Sequence, residues 1–138
     1  MGIRTGSEYL AGLRKHPRDV WLRGKRIDDV TTHPAFARPL AHTAALFDLQ
    51  HAPRYADVLT FTAENGQRVS TSYLPCRTRE DLLKRAAAYR LTAEQTLGMM
   101  GRSPDFLGSV IHGFAESAEL LQPLGDRFAA NLRAYAKK

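Results

Sequence analysis

Gly98-Met99-Met100-Gly101-Arg102-Ser103-Pro104-Asp105-Phe106 separates two long runs of helical periodicity and reads as the join between two amphipathic helices. Gly98 and Gly101 suit the φ > 0 geometry that ends a helix, Ser103 suits the N-cap of the next, and Pro104 its first position. Asp105 falls in the first turn, where the helix dipole favours a negative charge. Arg102 stands one residue before that cap, at the positive end of a helix. A guanidinium added to free backbone N–H groups makes a receptor for an anionic oxygen. On local pattern alone the commoner role of such an arginine is structural, as a carboxylate partner or a cap on the preceding helix.

Working outward, Thr78 caps the helix that leads into this join, with Glu80 and Asp81 in its first turn. Leu82, Leu83, Ala86, Tyr89, Ala93 and Leu97 run down it at helical spacing. Beyond the join, Phe106, Leu107, Val110, Ile111, Phe114, Ala118 and Leu121 line the next helix, and Pro123 and Gly125 punctuate. A last helix starts near Asp126, and its pattern is unbroken when the chain stops at Lys137-Lys138, so it reads as a helix cut short.

Towards the N-terminus, residues 58–62 and 68–74 are rich in β-branched and aromatic side chains and flank Asn65-Gly66, which predicts a hairpin closed by Pro75. Thr31-Thr32-His33-Pro34 opens a helix with Leu40, Ala44, Phe47 and His51 on one face, running to about His51 and stopped by Pro53. Val20-Trp21-Leu22-Arg23-Gly24-Lys25-Arg26-Ile27 reads as a smaller hairpin around a glycine turn. Thr5-Gly6-Ser7-Glu8 has the spacing of a capping box for a short helix carrying Tyr9, Leu10 and Leu13 and ending before Pro17. The pattern is mainly α with two small β-hairpins, in a single domain over residues 1–138.

Composition narrows the classes. The 138 residues are 43% hydrophobic and 25% charged, as in an ordinary soluble domain. One cysteine, Cys76, permits no intrachain disulfide, and no apolar run approaches the roughly 20 residues of a membrane span. A cytoplasmic protein is expected. The formal charge of +6 and the clusters Arg14-Lys15-His16-Pro17-Arg18 and Arg23-Gly24-Lys25-Arg26 raise nucleic-acid binding, but Pro, Gly and Asp break them and no recognition motif accompanies them.

Searches for chemistry return little. His16, His33, His42, His51 and His112 form no H-x-x-x-H pair, and no C-x-x-C occurs, so no metal site is expected. No G-x-S-x-G, Walker loop or G-x-G-x-x-G is present. Cys76 beside Arg77 reads as packing, and Met99-Met100 as adaptable filling.

Five ordered blocks carry a resemblance: Arg4-Thr5-Gly6 with Glu8-Tyr9-Leu10; Asp29-Val30-Thr31-Thr32-His33-Pro34-Ala35-Phe36; Phe47-Asp48-Leu49-Gln50-His51; Arg79-Glu80-Asp81-Leu82; and the join from Gly98 to Asp105. In order and spacing they resemble the N-terminal domain of the 4-hydroxyphenylacetate 3-hydroxylase family, over nearly the whole chain. The resemblance implies an acyl-CoA-dehydrogenase-like fold. It also implies the oxygenase component of a two-component flavin monooxygenase, in which a separate reductase supplies reduced FAD and a phenol is hydroxylated beside its existing hydroxyl.

By that resemblance Arg102 contacts the phenolic oxygen and favours phenolate, a catalytic and substrate-binding role. Phe106, also substrate-binding, stands where the family's 4-hydroxyphenylacetate enzymes carry Tyr, so one hydroxyl donor is missing and the choice of phenol is open. The flavin-binding segments and the family's partner His are expected outside this chain, in a longer polypeptide or a completing chain. A homo-oligomer is expected once complete. The alternatives are a non-catalytic remnant or helical interaction module and, third, a basic nucleic-acid-binding module.

Overall fold

The computed structural model describes residues 2–99 and 104–136, with only the backbone at 104 and 105. The chain groups into two compact units, residues 3–56 and residues 1–2 with 57–138.

In the first unit, α1 (Gly6–Lys15) begins with the expected capping box: Thr5 Oγ1 accepts from Glu8 N at 3.2 Å, and Glu8 Oε2 accepts from Thr5 N at 2.7 Å. The second bond holds the Glu8 carboxyl below its usual range. α1 packs on α2 (Pro34–Leu49) at Gly6, where a Cβ would stand 2.5 Å from the Ala44 carbonyl oxygen. Gly6 N also donates to Asp48 Oδ1 at 2.7 Å. Tyr9 stacks on Phe47 at 4.9 Å, and the Arg4 guanidinium lies 5.2 Å from the same ring.

Between these helices, β1 (Val20–Leu22) and β2 (Lys25–Ile27) pair antiparallel with Leu22 opposite Lys25. Arg23 and Gly24 have φ of 51° and 74°, the type I′ geometry that matches strand twist. The N-cap of α2 is His33, whose Nδ1 accepts from Ala35 N at 3.2 Å. Thr31 instead takes part in an Asx turn, donating its N–H and hydroxyl to Asp29 Oδ1. Pro39 lies inside α2, which continues through it, and the helix ends two residues short of the expected His51. Ala44 and Leu46 are its buried residues, whereas His51 is exposed.

In the second unit, α3 (Ala56–Leu59), which begins at the last residue of the first, leads into β3 (Thr60–Thr62), paired antiparallel with β4 (Arg68–Ser70). The Asn65-Gly66 turn forms as expected: Gly66, at φ 77°, donates to the Ala63 carbonyl, and Asn65 Oδ1 accepts from Gln67 N. The ladder is shorter than the sequence predicts at both ends. Residues 58–59 are helical, and Thr71–Tyr73 form a 3-10 turn. The cause is local competition from hydroxyls. Ser70 Oγ accepts from Ser72 N to cap the turn, and the buried Thr71 hydroxyl donates to the Val58 carbonyl at 2.7 Å.

α4 (Arg79–Thr96) starts from a capping box between Thr78 and Asp81 and ends with Leu97 and Gly98 in the left-handed region, at φ 51° and 69°. Hydrogen bonds from Thr78 and Arg77 hold the Asp81 carboxyl below its usual range. α5 (Pro104–Glu116) stops earlier than the apolar run predicts. Ala118–Leu124 tightens into a 3-10 helix around Pro123, which has no N–H to continue an α-helical ladder. α6 (Asp126–Ala136) follows as expected.

The apolar stripes are covered only in part: Ala118 is fully buried, while other members face solvent. Leu82 and Leu83 of α4 and Phe114 of α5 are more than half exposed. The largest described side chains buried to below 2% exposure are Thr60 and Thr71.

Thr71→Val keeps the shape but leaves the Val58 carbonyl unsatisfied, and the unfolding free energy measured in urea should fall by about 1–3 kcal/mol. Gly6→Ala should force α1 off α2 and lower the melting temperature further, by the equivalent of about 3 kcal/mol.

Candidate functional site

The site expected from the sequence lies at the start of α5. Arg102 falls outside the described residues, as do Gly101 and Ser103. Phe106 lies in the first turn of α5 and is half exposed. Leu107 in the same turn and Phe114 further along are exposed as well, so α5 turns an apolar face to solvent.

The opposite face of α5 holds it in place. Gly108 is buried against the Thr71–Tyr73 turn; a Cβ there would lie 3.0 Å from Ser72 Cβ and 3.1 Å from the Tyr73 ring. Next to it, Ser109 Oγ donates to the Ser72 carbonyl at 3.2 Å and is hydrogen-bonded to the Tyr89 hydroxyl of α4. Small side chains therefore pack inward, and the large apolar ones are left outside.

One turn further on, His112 is largely buried. Its Nε2 lies 3.6 Å from Glu116 Oε1, beyond hydrogen-bond range, and has no hydrogen-bond partner among the described residues. Arg85 of α4 donates through Nη2 to the Leu74 carbonyl, while its buried Nε is unpartnered among the described residues. Burial lowers the His112 pKa, and Arg85 and Arg77 lower it further, against an opposing pull from Glu116. The balance favours the neutral imidazole over the charged one.

The sequence drew attention to the join and passed over the residues that fix its downstream helix. Tyr89 stood on an expected apolar stripe, and Ser109 carried no motif. Gly108, a glycine inside an apolar helical run, was the legible signal of close backbone approach. Cys76 donates weakly to the Leu74 carbonyl at 3.6 Å, consistent with packing. Among the described residues no group of His, Cys, Asp and Glu is arranged to hold a metal. No helix among them is long and apolar enough to cross a membrane.

Comparison with known proteins shows the family to which this fold belongs. The pattern of the family described as 4-hydroxyphenylacetate 3-hydroxylase N terminal matches residues 5–138. This chain belongs to that family. It is 47% identical over 132 residues to the 4-hydroxyphenylacetate 3-monooxygenase oxygenase component of Thermus thermophilus, covering 96% of this chain and 26% of that protein. It is 35% identical to the 4-nitrophenol 2-monooxygenase oxygenase component of a Rhodococcus species, over 88% of this chain and 24% of that one.

Among solved structures, an oxygenase component of 4-hydroxyphenylacetate 3-monooxygenase superposes with a TM-score of 0.90 at 47% identity, over 97% of this chain and 27% of that one. The same component complexed with FAD and 4-hydroxyphenylacetate superposes at 0.89. The fold is therefore the N-terminal helical part of an acyl-CoA-dehydrogenase-like fold, as the resemblance implied. The chain spans about a quarter of the length of these relatives.

Because the His112 pKa is lowered on folding, this group adds stability above the ordinary histidine range and loses it as pH falls through that range. The urea midpoint should drop on going from about pH 7 to pH 5, and His112→Gln should flatten that slope. An unchanged slope in the variant would assign the pH dependence to other groups.

Proposed function

We propose that this chain is the N-terminal, substrate-side domain of the oxygenase component of a two-component, FAD-dependent monooxygenase that hydroxylates a phenol ortho to its hydroxyl. The observation that carries the reading is the near-complete superposition on an oxygenase component complexed with FAD and 4-hydroxyphenylacetate. The relatives' description as oxygenase components supports a separate flavin reductase as partner. The Rhodococcus relative, named for 4-nitrophenol, supports a phenolic substrate class broader than 4-hydroxyphenylacetate.

The open face carrying Phe106 and Leu107 is apolar and suits a phenol ring. It does not suit the charged diphosphate of FAD. FAD binding belongs to the remaining three quarters of the enzyme, which supplies the activated oxygen when FAD is bound. In this reading Arg102, beside the start of α5, pairs with the phenolic oxygen. A guanidinium there lowers the phenol's pKa and holds the electron-rich phenolate, the form that attacks an electrophilic oxygen. Phe106 packs on the ring without offering a hydroxyl.

The exposed apolar faces of α4 and α5 support completion by further protein, in the same chain or another, and a homo-oligomer in the finished enzyme. They equally favour a second reading, a helical interaction module that has lost the chemistry. The cytoplasm is the compartment that fits a reductase and a soluble phenol.

The 138-residue chain mixed with a reductase, NADH, FAD and 4-hydroxyphenylacetate should give no catechol above a no-protein control. Joined to the remaining domains of the Thermus thermophilus relative, it should hydroxylate. A joined protein that folds and binds FAD but never hydroxylates any of a panel of phenols would favour the interaction module.

In the active joined enzyme, Arg102→Ala should weaken phenol binding roughly ten- to hundredfold, equivalent to a charge-assisted contact of about 1.5–3 kcal/mol, with FAD binding and melting little changed. Arg102→Lys should recover only part of this, and Phe106→Tyr should shift preference towards 4-hydroxyphenylacetate. An Arg102→Ala protein that melts early but hydroxylates normally while folded would make the arginine structural.

A further inference from the structure

Tyr89, Ser109 and Ser72 come from three successive elements, α4, α5 and the Thr71–Tyr73 turn, and their hydrogen bonds meet at one atom. Ser109 Oγ has a single proton, which it gives to the Ser72 carbonyl. The Tyr89 hydroxyl is hydrogen-bonded to the same Ser109 Oγ, making a relay in which each bond polarises the next. Gly108 sets the spacing beside it, since even a methyl group would meet Ser72 and the Tyr73 ring at 3.0–3.2 Å. The relay also has a fixed base: the Thr71 hydroxyl ties the turn to α3, and Arg85 ties Leu74 to α4.

Ser109 lies one helical turn after Phe106, on the helix that begins two residues after Arg102. A helix pinned there cannot slide or rotate without breaking the relay, so the clasp fixes where the first turn of α5 points. Among the described residues, Phe106, Leu107 and Phe114 on the other face of α5 are exposed.

We propose that Tyr89, through Ser109 and Ser72, is a positioning residue for the phenol site: the relay holds the first turn of α5 so that Phe106 meets the substrate in one orientation. This rests on the functional reading above. Tyr89 does not touch the phenol and acts only through α5. Its loss should therefore leave the site's groups in place but let them wander, which raises KM and uncouples flavin oxidation from hydroxylation more than it lowers stability.

The test has two arms. In the 138-residue chain, amide hydrogen exchange is compared for Tyr89→Phe, Gly108→Ala and, as a control, Arg90→Gln, which breaks only an exposed ion pair with Glu94 on the same helix. Tyr89→Phe should speed exchange in the first two turns of α5 about three- to tenfold and leave α1 and α2 unchanged, whereas Arg90→Gln should change neither. Gly108→Ala should perturb the same turns.

In the joined enzyme, Tyr89→Phe should raise KM for the phenol about three- to tenfold and increase the share of reduced flavin lost to peroxide, at an FAD affinity equal to the unsubstituted enzyme. Exchange in α5 that does not respond to Tyr89→Phe overturns the relay. Faster exchange with KM and coupling unchanged overturns the positioning role. A joined enzyme inactive even without substitution defeats the functional reading, and with it the role in the phenol site, while the exchange data still decide the relay by itself.

Discussion

The Thr71 hydroxyl donating to the Val58 carbonyl is the bond on which the second unit depends. Without it, residues 71–73 would be free to continue the strand that β4 begins. With it, the chain leaves the ladder, turns through a short 3-10 helix, and presents Ser72 and Tyr73 as the surface that α5 lies against. The Thr71 side chain is fully buried and the bond itself part-buried, so an alternative that left the carbonyl bare would cost part of its desolvation as well as the bond. A three-residue turn thereby decides which side of a thirteen-residue helix is inside.

That choice has an unusual outcome for α5. Amphipathicity alone would bury Phe106, Leu107 and Phe114, yet the helix packs through Gly108, Ser109 and His112. Close approach of small residues gives short, directional contacts in place of a large buried area. Such contacts constrain position tightly while contributing little hydrophobic free energy. The arrangement suits a part whose apolar faces complete their packing in a larger protein and whose helix start must keep its aim.

What the sequence made legible was mostly local. Capping boxes at Thr5 and Thr78, the Arg23-Gly24 and Asn65-Gly66 turns, and the left-handed Gly98 follow from residue types a few positions apart, and the structure has them all. Of the stretch Thr31-Thr32-His33-Pro34 that opens α2, His33 is the N-cap, because both threonines are hydrogen-bonded to Asp29. The ends of the second hairpin were misread because β-branched composition favours a strand, while the Ser-Thr-Ser hydroxyls favour a turn, and only tertiary partners decide between them. Which face of α5 turns inward was not legible, because periodicity marks which residues are apolar, not what covers them. Of the candidate site, the helix end at Gly98 and the helix start at Pro104 were legible, and so was the family pattern across its blocks; residues 100–103 of the join lie outside the described residues. The Tyr89–Ser109 contact joins residues twenty apart and has no local signature.

A core in which hydroxyls and alanines stand beside Leu59 and Leu74 also carries a calorimetric signature. Exposing hydrocarbon on unfolding raises the heat capacity, and exposing polar groups lowers it. In the unit built on residues 57–138, Thr60, Thr71 and Ala118 are the side chains most completely withdrawn from water, while leucines of α4 are wetted already. Unfolding such a unit uncovers little new hydrocarbon per residue, so its stability curve is shallow, with a broad maximum and gentle flanks. Covering the wetted leucines with further protein steepens the curve. The curvature of the melt is thus a measure of how much of its own fold this domain supplies, independent of any assay for the reaction.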